Sequence, residues 1–357
     1  MANLDELAPA LPSTTAPPSP PHRRRRLLLR LLVIVLAFGL LLASAGLGAA
    51  LLLQHRYDRN IERFGDPFKN LPVASRPKAA SPGVQNILLL GSDSRISAGD
   101  PSNWIYGAQR TDAIMIAHVP DDRSGVTVTS IPRDSWVNIP GYGMNKINAA
   151  FSFGGTALMV QTLEKLTGVR LDHVVIVDFD GFKSITDELG GVRIRVAQDT
   201  HDERSSFTAG VHTMDGATAL NYVRQRHNLP GGDFDRVKRQ QNWVRAVALK
   251  TLAKGTLTNP LKLNRVLGSL TSSIAVDDGF SIGQMRSLAL SLRDVDGSDL
   301  TFLTAPVAGT GRSPDGKQDI VRLNTTAGAA LWQAVADDTV PAWLAAHPQA
   351  TLGSKVR

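Results

Sequence analysis

Residues 174–196 read VVIVDFDGFKSITDELGGVRIRV. The run from Val174 to Phe179 is apolar except for Asp178, as expected of a buried strand. Asp178 and Asp180 flank Phe179 at its end and read as caps for the helix predicted over 181–189, rather than as metal ligands. Val192 to Val196 is the next strand. The pattern continues outward in both directions. Strand-like runs lie at 87–90, 114–119, 126–131 and 301–303. Helix-like runs lie at 156–166, 217–222, 234–253, 282–292 and 327–336. Alternation of this kind without internal repeats gives a layered α/β domain.

The chain has 357 residues, enough for one large domain plus accessories, and a formal net charge of +7. A basic balance suits a polyanionic partner such as nucleic acid, anionic lipid or a phosphorylated glycan. Part of the excess sits in the arginine cluster 23–26. With no cysteine, thiol nucleophiles, Cys-ligated zinc and disulfides are excluded. Residues 1–26, rich in Pro, Ala, Ser and Thr before the basic cluster, read as a disordered cytoplasmic tail. Residues 27–53 read as a transmembrane helix; its uncharged part, 31–53, would span roughly 35 Å. The run exceeds the roughly 7–15 residues of a signal-peptide core, so it reads as an uncleaved anchor. The arginines should stay inside, which places the rest outside the cytoplasm and argues against nucleic acid. Residues 54–85, with Pro67, Pro72, Pro77 and Pro82, read as an extracytoplasmic stalk. The folded domain is then expected at 86–340, followed by an irregular tail at 341–357.

Three strand ends carry an Asp/Arg combination: Gly91-Ser92-Asp93-Ser94-Arg95, Arg110-Thr111-Asp112 and Ile131-Pro132-Arg133-Asp134. Ligand sites in α/β sheets gather at the carboxyl ends of strands. Asp93 and Asp112 can share a Mg2+ ion; alternatively each acid caps a turn or pairs with its neighbouring arginine. A fourth basic element is YVRQRHNLPGGDFDRVKRQQ, residues 222–241. If 222–226 is extended, Arg224 and Arg226 point to one side. Gly231 and Gly232 break the chain, and Asp233 is placed to cap a helix presenting Arg236, Arg239 and Gln240. Such guanidiniums bind phosphate oxygens through a planar fork; a solvated basic helix face is the alternative. Lys146 and Asn148 follow a Gly-rich turn and either orient a substrate or bond the backbone. Gly154-Gly155-Thr156 starts a helix whose amides can attract an anion. No P-loop motif is present. Residues 279–283, GFSIG, match the GxSxG of a nucleophile elbow. The preceding Asp277-Asp278-Gly279 is a turn, however, and Ser281 with Gln284 reads as a capping box. His201, Asp202 and Glu203 lack metal spacing and read as a solvent-exposed polar loop.

In order along the chain, GSDSR (91–95), RTDAIMI (110–116), SIPRDSWVNIP (130–140), NKINAAFSFGG (145–155), FDGFKSITDELGGV (179–192) and ALNYVRQRH…GDFDRVKRQQ (219–241) resemble the motifs of the LytR–CpsA–Psr family. The resemblance implies an extracytoplasmic α-β-α domain with a central mixed sheet that binds a polyprenyl-linked pyrophosphate. It also implies phosphotransferase activity that moves a glycopolymer onto peptidoglycan, with Mg2+ as cofactor. By position, Asp93 and Asp112 match the magnesium-linked acids. Arg95, Arg110, Arg133, Arg224, Arg226 and Arg236 match the pyrophosphate-binding arginines, with Gln240 nearby; Arg110 and Arg133 join the two acids as the catalytic set. Arg239 and Lys146 fall at further motif positions and are counted with the binding set. The departure from the family pattern is the long 96–109 loop, which includes Trp104 and Tyr106. An apolar groove for the lipid is expected near 174–177 or 158–166. Two other functions use the same residues: a pyrophosphatase with water as acceptor, and a non-catalytic module that only holds polyanion or lipid.

Overall fold

The computed structural model describes residues 61–92, 111–203, 205–253 and 270–353, with a few single positions besides. In chain order the first elements are β1 (Glu62–Arg63), β2 (Gln85–Ser92), β3 (Thr111–Val119), β4 (Val126–Ser130), β5 (Trp136–Ile139), β6 (Gly143–Lys146), α1 (Asn148–Thr167), β7 (His173–Val177) and α2 (Phe179–Glu188). Then come β8 (Val192–Val196), β9 (Thr200–His201), β10 (Ser206–Phe207), β11 (Gly210–Met214), α3 (Gly216–Arg224) and α4 (Asp233–Thr251). Last are β12 (Ala275–Val276), α5 (Ile282–Ser291), β13 (Leu300–Thr304), β14 (Val307–Arg312), β15 (Asp319–Leu323), α6 (Thr325–Ala336) and α7 (Val340–Ala346).

Seven strands form the central sheet in the order β1-β12-β7-β2-β3-β4-β13. β2 pairs antiparallel with β3 and parallel with β7, so the sheet is mixed. Side chains alternate across a strand, and register therefore fixes two faces. Leu88 aligns with Ile116 and with Val174, and these residues join Leu90, Ile114 and Ile176 in a core shared with Phe151 and Met159 of α1 and Leu331 of α6. One residue along, Leu89 aligns with Met115 and Val175. That face looks toward α2, α3, α4 and α5, whose Phe182, Tyr222, Trp243 and Ile282 form the second core. The architecture is helix, mixed sheet, helix.

Several expectations need correction. The strand expected at 174–179 ends at Val177, because Asp178 turns the chain by capping α2 through Gly181 N at 2.6 Å. Residues 61–85 are part of the domain rather than a stalk: β1 pairs with β12, and Ile61 and Phe64 are buried. Between the prolines, Arg76 clasps Glu164 at 2.6 Å and the Leu171 carbonyl at 2.5 Å, while Phe68 and Leu71 pack on the α1 core. The tail is not irregular either. Pro341 occupies the first turn of α7, where a missing N–H costs nothing, and Thr351 and Val356 bridge Leu303 and Val196. Residues 222–226 are not extended, because α3 continues through Arg224. The Gly154-Gly155 pair stands at a kink within α1, and the helical segment expected from Thr156 begins just after it. Gly155 sits at φ 63°, ψ −154°, a conformation open only to glycine.

Among the described residues no helix is long and apolar enough to cross a membrane. The expected anchor at 27–53 and the tail at 1–26 lie outside the described residues, as do positions 54–60.

Candidate functional site

The sheet face turned toward α2–α5 does not close completely on those helices. It leaves a cavity of about 1040 Å3, walled by Leu89, Met115 and Ala117 on the sheet side and by Leu220, Val247 and Leu288 on the helix side. Of the two stretches expected to line an apolar groove, Val175 and Val177 do so. Residues 158–166 do not: Met159, Val160 and Leu163 are fully buried in the core on the opposite face.

Polar residues collect at one end of the same cavity. Asp112, Arg133, Arg224, Arg226, Arg236 and Gln240 all line it. Each position follows from the local fold. Asp112 is the second residue of β3, and Arg133 follows the end of β4. Arg224 closes α3 and stacks over Phe179 at 4.6 Å. Arg236 and Gln240 stand four residues apart on α4 and so share a face. Gln240 Nε2 reaches toward the Asp112 carbonyl at 3.5 Å.

The electrostatics of this end are unbalanced. Arg133 pairs closely with Asp112, and its Nη2 lies 3.8 Å from Asp233 Oδ1. Burial opposes the Arg133 charge, but Asp112, Asp233 and Asp134 outweigh it and raise its pKa. Arg236 is in the opposite position. Burial lowers its pKa, Asp233 pulls it back up, and the neighbouring Arg133 lowers it further. Arg236 Nη2 lies 2.6 Å from Asp233 Oδ1, yet neither Nε nor Nη2 makes a well-aligned hydrogen bond, and Arg133 Nε is in the same state. Buried N–H groups whose hydrogen bonds are missing or poorly aligned are costly. They are donors in want of oxygen atoms, and phosphate is the anion a guanidinium fits best.

Arg239 does not belong to this group. It is fully buried, with Nη1 on Gln225 Oε1 at 2.6 Å, Nη2 on Thr200 Oγ1 at 2.8 Å, and its guanidinium over the Tyr222 ring at 4.5 Å. Three residues turn a helix about 60° short of a full circle, and that rotation points Arg239 inward, where it anchors the 222–225 segment carrying Arg224. Asp233 is not a cap: Gly232 at φ 53° holds the N-cap position without a side-chain bond, and Asp233 neutralises Arg236 instead. Lys146 pairs with Asp134 at 3.0 Å and lines a second, polar cavity of about 530 Å3 that also contains Arg133 and Arg226. Asp93, Arg95, Arg110 and the 96–109 loop lie outside the described residues.

Ser281 is a cap, with the reciprocal Ser281–Gln284 bonds of a capping box. The 201–203 loop is closer to the site than its composition suggests, since Asp202 and Glu203 line the large cavity. Among the described residues no three His, Asp or Glu side chains gather to hold a metal. Mg2+ needs fewer protein ligands than that, taking one or two carboxylates with phosphate oxygens and water. Asp112, at the polar end of the cavity, fits such a donor set.

The LytR_cpsA_psr family model matches residues 62–335 of this chain. The cell wall biosynthesis protein LcpA of Corynebacterium glutamicum is 33% identical over 306 residues, which cover 74% of this chain and 58% of LcpA. The probable cell wall biosynthesis protein LcpB of the same organism is 38% identical over 240 residues, 65% of this chain and 56% of LcpB. The chain therefore spans somewhat more than half the length of these curated relatives. Among solved structures, TagT bound to LI-WTA superposes with a TM-score of 0.58 at 24% identity, covering 76% of this chain and 97% of TagT. That likeness is one of fold.

Proposed function

Because the chain belongs to the LytR_cpsA_psr family, we propose that it is a phosphotransferase that moves a glycopolymer, as a glycosyl phosphate, from a polyprenyl-pyrophosphate carrier to a sugar hydroxyl of peptidoglycan. One observation carries the reading. A single cavity has arginines with N–H groups short of well-aligned hydrogen bonds at one end and an apolar interior beyond them, which matches a ligand with a pyrophosphate head and a hydrocarbon tail. The names of LcpA and LcpB, and the ligand on TagT, agree with a cell-wall glycopolymer as substrate.

In this reading Arg133, Arg224, Arg226 and Arg236 hold the pyrophosphate, with Gln240 beside them. The acceptor oxygen forms a bond to the phosphorus that bears the glycan. The bond from that phosphorus to the bridging oxygen breaks, polyprenyl phosphate departs, and the hydroxyl proton passes to solvent. Phosphoryl transfer of this type depends on positioning and on neutralising spread charge. Asp112, with Asp93, would hold Mg2+, which supplies positive charge to the phosphate oxygens. Residues 27–53 would anchor the chain in the cytoplasmic membrane, with the domain outside.

The test uses the full chain in detergent, a polyprenyl-pyrophosphate-linked saccharide, peptidoglycan oligomers and mass spectrometry, with and without Mg2+. A phosphodiester-linked adduct that disappears on chelation supports the reading. Phosphate release without an adduct identifies a pyrophosphatase, and unreacted donor identifies a binding module.

A further inference from the structure

The second cavity borders β6 and the start of α1 and adjoins the apolar one. It is lined by Asn145 and Lys146 of β6, Asn148 and Phe153 of α1, Gln318 from the loop before β15, and Asp134. Arg133 and Arg226 line both cavities. A phosphate held by these two arginines is therefore open to the apolar cavity on one side and to the polar cleft on the other.

We propose that this cleft is the acceptor subsite and that it holds a peptidoglycan sugar with its hydroxyl directed at the phosphate between Arg133 and Arg226. The proposal rests on the phosphotransferase reading above. In phosphoryl transfer the attacking and leaving oxygens stand roughly in line. The leaving polyprenyl phosphate is drawn toward the apolar cavity, so the acceptor comes from the polar one. The cleft also has the chemistry of a saccharide site. Amides and a carboxylate offer paired donors and acceptors to neighbouring hydroxyls. Phe153 stacks on Tyr142 at 4.9 Å, and Tyr142 is 47% exposed, giving an aromatic surface for the C–H face of a sugar ring. The cleft is not a second anion site, because the charge of Lys146 is already matched by Asp134 at 3.0 Å.

The experiment titrates the full chain with a soluble peptidoglycan tetrasaccharide free of lipid and phosphate, and separately with inorganic pyrophosphate. The variants are Asn145→Ala/Gln318→Ala and Tyr142→Ala; the first two positions are half-buried and the third is exposed, and none belongs to the arginine cluster. The double variant is expected to bind the tetrasaccharide about tenfold more weakly, as loss of two neutral hydrogen bonds implies, with pyrophosphate affinity unchanged. In the transfer assay the KM for acceptor rises while the affinity for lipid-linked donor holds. Equal tetrasaccharide binding by wild type and both variants, or none by wild type at millimolar concentration, overturns the proposal. So does a parallel fall in affinity for the lipid-linked donor, which would place the donor's own sugar in the cleft. Normal tetrasaccharide binding with no adduct from any protein would leave the saccharide site standing and remove the transferase reading.

Discussion

Arg236 offers a sharp test, because its role in binding and its effect on stability oppose each other. The substitution is Arg236→Met, which keeps much of the aliphatic volume and removes the charge. Arg236 is 6% exposed, its Nε makes no hydrogen bond and its Nη2 no well-aligned one, and Arg133 is a like-charged neighbour. A buried, unsatisfied N–H costs about 1–3 kcal/mol. Against this stands the pair with Asp233, whose side chain is 30% exposed, a pair worth about 1 kcal/mol or less. Asp233 also keeps Arg133 within 3.8 Å, so it is not stranded. The difference is about 0–3 kcal/mol in favour of Met, so the variant should be at least as stable as the wild type. At roughly 2–4 °C per kcal/mol for a large domain, the melting temperature should hold or rise by several degrees. Inorganic pyrophosphate should then bind about 10- to 150-fold more weakly, as loss of one charge-assisted contact of about 1.5–3 kcal/mol implies. Differential scanning calorimetry and isothermal titration read the two effects separately. A folded variant with a lower melting temperature would make Arg236 a structural ion-pair partner. Unchanged pyrophosphate affinity would remove it from the site.

Three further outcomes follow from the same geometry. Arg239→Met should lower stability by about 2–4 kcal/mol, because it removes the buried guanidinium bonds to Gln225 Oε1, Thr200 Oγ1 and the Tyr222 carbonyl, whereas the fraction that remains folded should bind pyrophosphate with affinity reduced only as far as Arg224 loses its support; urea denaturation and titration together check this. Ala117→Trp projects a large ring into the apolar cavity from β3 and should abolish the extra affinity of a polyprenyl pyrophosphate over inorganic pyrophosphate. Equal discrimination in wild type and variant would show that the tail lies elsewhere. Ser281→Ala should cost about 1 kcal/mol, the ordinary value of an N-cap, with transfer unaffected; loss of transfer at unchanged stability would reopen Ser281 as a nucleophile.

The elements legible in the sequence were those with local signals. Val192–Val196 falls where its run of apolar positions predicts, and α5 starts where Ser281 and Gln284 place it. Asp178 caps α2 because an acid three residues before a helical N–H has one good partner. What was not legible depended on distant partners. β1 and β12 are two residues each, too short to show a period, and exist because they pair with each other across the chain. The prolines of 61–85 suggested a spacer, while the decisive residue, Arg76, finds Glu164 far along the chain. Arg236 and Arg239 look alike in sequence, and only the rotation of α4 separates the one at the cavity from the one inside the core. The cavity itself left no trace: Leu88 and Leu89 are neighbours of one type, yet one packs tightly on α1 and the other faces open space.

The apolar cavity has a consequence for turnover. A hydrocarbon occupant of this cavity displaces solvent from its apolar walls. In the proposed reaction the departing polyprenyl phosphate retains the same tail as the donor. The tail then contributes equally to substrate, transition state and product. Binding of that uniform kind raises affinity without accelerating the chemical step. It also slows the exit of the spent carrier. A saturated preparation should therefore show a burst of one turnover per site followed by a slower steady rate, and the steady rate should increase as the isoprenoid chain is shortened.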